Sequence, residues 1–244
     1  MTSKYLKVSH PASNVWQITL TSPPDNRLTP ELLSEFSQAL DQVELEWRKV
    51  GGGKFNPKER EKYEGKGAGA LIITSDNEKF FSNGLDWERS LKIKNFFEAF
   101  AGGMILALSC DYRIITSGKG FLCMNELQFG SPLPNSFNAL LSKRIPNPQH
   151  HRNTLLARRW TQKELSQIGL VDEVVDSDKV ISRAVEVGKR DGGKVAAGAW
   201  GAIKRGAYHQ VLDYSQSYRK LNLPPQEEQE FFDRVGKSQS KAKL

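Results

Sequence analysis

Apolar and polar residues alternate through residues 15–21 (VWQITLT), which predicts a strand, and Ser22-Pro23-Pro24-Asp25-Asn26 stops it. A helix is predicted next. Thr29 can cap it with Pro30 in the first turn, and Leu33, Phe36, Leu40, Val43 and Trp47 recur at three- and four-residue steps along one face. Residues 68–74 (AGALIIT) are short and continuously apolar, the pattern of a strand in a sheet covered on both faces. Residues 104–110 are apolar all round and predict a buried helix, and 112–115 and 120–124 predict two more strands. Strands alternating with helices predict an α/β fold with a mostly parallel sheet.

Beyond Pro146 the pattern changes to helices with basic faces, interrupted by IGLVDEVV at 168–175, with helices predicted over 180–188 and 196–219. The division is placed near Asp176: a core over 1–176, a helical C-terminal region over 177–235 and a polar, flexible tail over 236–244. Residues 51–67, with glycine at both ends and charges between, read as an exposed insertion. No strand leads into Gly51-Gly52-Gly53, so a phosphate cradle is not indicated.

The chain has 244 residues, enough for one large domain with a helical appendage, and a net charge of +7 that suits an anionic partner. Charge alone leaves a phosphorylated cofactor, an anionic lipid surface and a nucleic acid open. No nucleic-acid motif accompanies it, so no nucleic acid is expected as partner. Cys110 and Cys123 lie in apolar contexts and the four histidines are scattered, which gives no zinc spacing and suggests a reducing compartment. No run of eighteen apolar residues exists, so no membrane span is expected. Ala242-Lys243-Leu244 is close to the Ser-Lys-Leu address of the peroxisomal import receptor, which makes that receptor an expected partner and the peroxisome the expected location.

Two glycine turns carry the chemistry, FFSNGLD at 80–86 and AGGMILALSCDYRI at 101–114. Separated glycine turns can aim backbone N–H groups at one oxygen, and a helix N-terminus adds a positive dipole end. With the early NRLT, the ALIITS strand, the MNE segment and IGLVDEVV, these landmarks resemble the crotonase family, also called the enoyl-CoA hydratase/isomerase superfamily. LCMNEL and the terminal tripeptide look most like its peroxisomal Δ3-Δ2-enoyl-CoA isomerases of fungi and plants.

The resemblance implies a crotonase-like fold of ββα repeats, an acyl-CoA substrate, no metal and no redox cofactor, coenzyme A being part of the substrate. It implies a place in fatty-acid β-oxidation and a homotrimer or hexamer. By the same mapping the oxyanion-hole donors are the N–H groups of Leu85 and Gly102, and the substrate lies along Ser82, Asn83, Gly84, Leu85 and Gly103. Hydratases of the family use two glutamates. The first falls at Ile105 here and the second at Glu126, which leaves one carboxylate, enough to shuttle a proton between two carbons. An apolar surrounding would raise the Glu126 pKa into the range useful for proton abstraction. Asp86 and Asp111 read as structural, and His150 and His151 as surface residues. Lys79, Lys92, Lys94 or Lys204 is expected to meet the 3′-phosphate of CoA.

The pattern departs from the family between the turns. Only 15 residues separate Asp86 from Gly102, where the family carries a helix and a strand, so Gly102 is expected to depend on a compressed linker. That keeps two alternatives open beside the isomerase: a catalytically weak or inactive acyl-CoA-binding or assembly subunit, and an enoyl-CoA hydratase.

Overall fold

The computed structural model describes residues 3–53, 66–84, 102–217 and 224–241. Leu85, Asp86, Lys92, Lys94 and Ala242-Lys243-Leu244, named above, lie outside the described residues.

Strand β1 (Leu6–Ala12) pairs antiparallel with β2 (Val15–Leu20), and β2 pairs in parallel with β3 (Ala70–Ser75). Helix α1 (Pro30–Lys49) starts as expected: the Thr29 side chain accepts a hydrogen bond from the Leu32 N–H and Pro30 opens the first turn. The face it buries is Leu32, Phe36, Ala39 and Val43, rotated from the expected one, while Leu40 stays exposed. The small Ala39 lets the helix sit close to its neighbours, so the seam runs through it. The Glu46 carboxylate ties α1 to the hairpin by accepting from Trp16 Nε1 at 2.7 Å and Gln42 Nε2 at 3.0 Å and meeting His10 Nε2 at 2.8 Å. These bonds, Gln42 first, hold its pKa at about 2.

Strand β3 is only half-buried, with Ile72 alone fully inside, where a strand covered on both faces was expected. Among the described residues it has a neighbour on one side only, β2. The ends of the 51–67 segment are anchored, with Gly52 and Gly67 buried and Gly53 and Lys66 exposed. Trp47 Nε1 donates to Gly67 O, the Gly53 N–H donates to Ala196 O, and Gly52 lies under the Trp47 ring, where a Cβ would come within 2.1 Å.

Helix α2 (Gly103–Ser109) leads to β4 (Ile114–Thr116) and β5 (Phe121–Leu122), both shorter than predicted. A 3₁₀ turn follows at Glu126–Phe129, then α3 (Asn135–Arg144), α4 (Pro148–Leu155), β6 (Trp160–Thr161), α5 (Gln162–Gln167), which opens on a Thr161/Glu164 capping box, and β7 (Glu173–Val175). β4 pairs in parallel with β7, and β5 antiparallel with β6. The described strands thus form three separate small sheets.

Helix α6 (Val180–Gly192) packs on β2, β3 and β4, so the first helix past the expected division at Asp176 belongs to the core layers. The predicted long helix over 196–219 is two, α7 (Ala199–Ala207) and α8 (His209–Gln216), set apart by the left-handed Gly198 before α7 and by a turn at Tyr208. Helix α9 (Pro224–Lys241) runs on past Gly236 into the segment expected as a tail. β1 went unpredicted, although the Leu6-Lys7-Val8-Ser9 alternation marks it. One apolar core joins β2, α1, α2, α3, Met124, Trp160, Leu165 and Leu170. No helix among the described residues is long and apolar enough to cross a membrane.

Candidate functional site

The end of β2 and the end of β3 are tied together by one side chain. Asn26 sits in a left-handed conformation (φ 53°), which asparagine tolerates better than most residues, and is 1% exposed. Its Nδ2 donates to Ser75 Oγ at 2.7 Å and Phe81 O at 3.3 Å, and its Oδ1 accepts from the Ser22 N–H at 2.7 Å. The first glycine turn is then built against the same strip of chain. Ser82 Oγ donates to Asn26 O at 2.7 Å, the Asn83 N–H donates to Asp25 O at 2.9 Å, and Gly84 O accepts from the Leu28 N–H at 2.9 Å. Gly84 has φ 83°, a region that favours glycine.

Within this turn the Asn83 N–H is used by Asp25 O and the Gly84 N–H by Ser82 Oγ at 3.2 Å. Neither remains as a donor to a ligand. The expected donor, the Leu85 N–H, is the next along the chain and lies outside the described residues.

The second turn meets the first directly. Gly103 packs so closely on Ser82 that a Cβ there would stand 2.6 Å from Ser82 O and 3.0 Å from Ser82 Cβ. Gly102 is the N-cap of α2 with no side-chain cap, so the helix's first N–H groups point out of its N-terminus. The opposite end of α2 is covered by cations. Arg144 donates to Leu108 O at 2.8 Å and Cys110 O at 2.9 Å, Lys204 Nζ to Ser109 O at 3.2 Å, and Arg113 to Cys110 O at 3.0 Å. The positive end of the dipole, by contrast, has no capping side chain among the described residues.

Glu126 enters from the far side. The buried Met124 anchors the strand end before it, and left-handed Gly130 (φ 69°) closes the 3₁₀ turn after it. Its Oε1 stands 3.9 Å from where a Gly102 Cβ would be, and its Oε2 is buried with no hydrogen-bond partner among the described residues. Burial pushes the Glu126 pKa above its ordinary 4.5. Ile105 is 3% exposed and belongs to the core cluster, so no second carboxylate stands there. Pro224, the first residue of α9, reaches within 3.9 Å of a Cβ on Gly130, which brings the C-terminal helix beside the Glu126 turn.

Of the sequence-predicted residues, Ser82, Asn83, Gly84, Gly102, Gly103 and Glu126 therefore come together. Asp111 is structural, as expected: it accepts from Trp200 Nε1 at 3.0 Å and pairs with Lys204 at 2.7 Å. That pairing occupies Lys204, whereas Lys79 is exposed. His150 stacks edge-on against Trp160 and His151 approaches Ser142, both away from Glu126 in sequence and contact. Among the described residues no group of three or more His, Cys, Asp or Glu is placed to hold a metal ion. Asn26 and Asp25 went unassigned from sequence. The signal was an Asx pair directly after two prolines, a turn whose side chains bond to neighbouring backbone.

Residues 98–221 match the family model described as enoyl-CoA hydratase/isomerase. Among curated proteins the chain is 24% identical to the peroxisomal enoyl-CoA delta isomerase 2 of Arabidopsis thaliana, covering 81% of this chain and 90% of that one. It is 26% identical to the mitochondrial enoyl-CoA delta isomerase 1 of Mus musculus, covering 69% and 62%. Among solved structures it resembles the human mitochondrial delta3-delta2-enoyl-CoA isomerase with a TM-score of 0.67 at 21% identity, covering 96% and 99% of the two chains. An enoyl-CoA hydratase from Mycobacterium marinum gives 0.67 at 19% identity, covering 87% and 95%.

Proposed function

The chain belongs to the enoyl-CoA hydratase/isomerase family, and from that premise we propose that it moves the double bond of an enoyl-CoA from position 3 to position 2. The observation that carries the reading is Glu126, a carboxylate beside Gly102 whose Oε2 is buried with no hydrogen-bond partner among the described residues, with Ile105 where a hydratase would need its other acid. Glu126 takes a proton from C2 of the acyl chain, the C2–H electron pair delocalises onto the thioester oxygen, and the same proton returns at C4. The N–H groups of Gly102 and Leu85 hold that oxygen while it is anionic. A positioned donor of this kind is worth about 2.7–4 kcal/mol of barrier. Glu126, Leu85 and Gly102 are thus the proposed catalytic groups, with Ser82, Asn83, Gly84 and Gly103 lining the substrate. The reaction moves one proton and needs neither metal nor redox group.

Conversion of a 3-enoyl-CoA to its trans-2 isomer tests this. Glu126→Gln is expected to lower kcat about 100-fold or more, the usual share of a general acid–base group. Turnover equal to wild type sinks the role of Glu126.

A setting in peroxisomal fatty-acid oxidation is part of the proposal, supported by the peroxisomal plant relative, with the mitochondrial mouse relative against it. Self-association as a trimer or hexamer is supported by the exposed Trp200, Ile203, Phe231 and Phe232 of α7 and α9. A second reading, acyl-CoA binding without turnover, is favoured by the 15-residue connection between Asp86 and Gly102. CoA binding with no isomerase activity in the isolated chain would establish it.

A further inference from the structure

Asn26 has no part in the proposed chemistry, yet the bonds it makes converge on the place where the two glycine turns touch. It is buried in a left-handed conformation, and its amide, its carbonyl and both side-chain polar atoms all have partners. Those partners fix which way round the side chain lies. Oδ1 accepts from the Ser22 N–H at 2.7 Å, a group that can only donate, whereas Nδ2 faces Phe81 O at 3.3 Å and Leu20 O at 3.4 Å, which can only accept. Nδ2 also donates to Ser75 Oγ at 2.7 Å, and that hydroxyl donates onward to Phe80 O at 2.7 Å.

The side chain thus holds the carbonyls of Phe80 and Phe81, directly and through Ser75, and the backbone of Asn26 holds the next residue by accepting from Ser82 Oγ at 2.7 Å. Ser82 is the seat of the second turn. A Cβ on Gly103 would lie 2.6 Å from Ser82 O, so a displacement of Ser82 passes to Gly103 and to its neighbour Gly102. Gly102 carries a proposed oxyanion donor. An error near 1 Å in such a group costs about 100-fold in rate.

We propose that Asn26 is a positioning residue for the isomerisation: by fixing Phe81 and Ser82 it sets the place of the Gly102 N–H relative to the thioester oxygen. The inference rests on the isomerase reading and adds to it a residue that touches neither the substrate nor the reacting atoms.

Two variants keep the left-handed backbone. Asn26→Gly removes the side chain, and Asn26→Asp keeps its size but sets an oxygen against the carbonyls of Phe81 and Leu20. Ser75→Ala removes one partner and leaves Asn26 in place, which serves if both Asn26 variants fail to fold. Isomerase kinetics on the full chain should show kcat lowered about 10- to 100-fold in the Asn26 variants and less in Ser75→Ala, with KM within about twofold, because the donor matters most when the oxygen is anionic. Ile145→Val, a truncation in the core at the end of α3, should lower the melting temperature with kcat unchanged. The infrared stretch of a ¹³C-labelled thioester carbonyl in a bound saturated acyl-CoA gives a second readout. Its shift to lower frequency on binding the wild type should shrink in the variants. Melting temperatures that fall while kcat and the carbonyl shift stay at wild-type values overturn the inference and make Asn26 purely structural. A wild type that binds acyl-CoA without turnover overturns the isomerase reading, and the carbonyl shift then decides the role of Asn26 alone. A folded wild type that binds no acyl-CoA overturns both.

Discussion

Glu126 combines two demands that oppose each other. A carboxylate shielded from water, with one oxygen unpartnered among the described residues, is a stronger base, and for the same reason its charge is unwelcome in the folded protein. Its folded pKa lies above the unfolded value of 4.5, so the stability it allows is fully present below pH 4.5 and is lost as pH rises through the raised value. Glu126→Gln should therefore unfold at a higher temperature than wild type at pH 7, with the difference fading below pH 4.5. The acid limb of kcat/KM in the wild type should likewise fall at a pH above 4.5, because the base must be ionised to accept a proton. An inflection at or below 4.5, together with an unchanged melting temperature, would contradict this. Sequence alone gave Glu126 its place through the MNEL resemblance and its apolar neighbour Met124. It could not give the orphaned oxygen or the nearness to Gly102, which depend on how the strand end and the helix start fold together. Asn26 was harder to read, because its partners Ser75 and Phe81 are distant in sequence and only pairing of β2 with β3 makes them neighbours.

The elements that frame the site differ in how firmly they are specified. Helix α1 was legible because a cap, a proline and an apolar face agree, and even there Ala39 shifted the buried seam. The short strands β4 and β5 were overestimated, since apolar runs of a few residues carry no information about where pairing stops. Helix α2 is the decisive element. The two glycines at its start look equivalent in sequence and are not equivalent in space. A methyl group on Gly103 would strike Ser82 backbone at 2.6 Å, whereas one on Gly102 would meet only Glu126 Oε1 at 3.9 Å, an ordinary contact, and Gly102 has φ −55°. Gly103→Ala should destabilise the fold by about 1–3 kcal/mol, as overpacking does, and separate the two turns, with a lower melting temperature and reduced isomerase activity. Gly102→Ala should fold with nearly wild-type stability. The reverse order of melting temperatures would show that Ser82 and Gly103 are not in contact in solution.

Across the whole molecule the core is continuous from the hairpin to Leu170; α8 packs on α3, with Tyr208 and Val211 against the core, whereas α7 is attached more sparingly. Neither α7 nor α8 contains a fully buried residue, and α7 is fastened by Trp200 and Lys204 on Asp111. Exposed ion pairs contribute little to global stability, about 0–1 kcal/mol, but they can set the rate of local opening. Asp111→Ala should leave the main thermal transition nearly unmoved while limited proteolysis cuts faster between 193 and 217. Equal cleavage rates would mean that α7 is held by something other than this latch. The sequence division at Asp176 missed this arrangement because α6 is amphipathic like its successors, and only packing on β2, β3 and β4 reveals that it belongs to the core. The contact of Gly103 with Ser82 bears on the feature that looked most damaging in the sequence. Because the chain leaves and re-enters the site at the same spot, the register of the two turns does not have to be transmitted through the residues between them. Closure entropy grows by only about 0.6 kcal/mol for each doubling of a loop. A flexible insert between Asp86 and Gly102 is thus expected to leave Ser82 seated on Gly103, which an unchanged melting temperature of such an insertion variant would show.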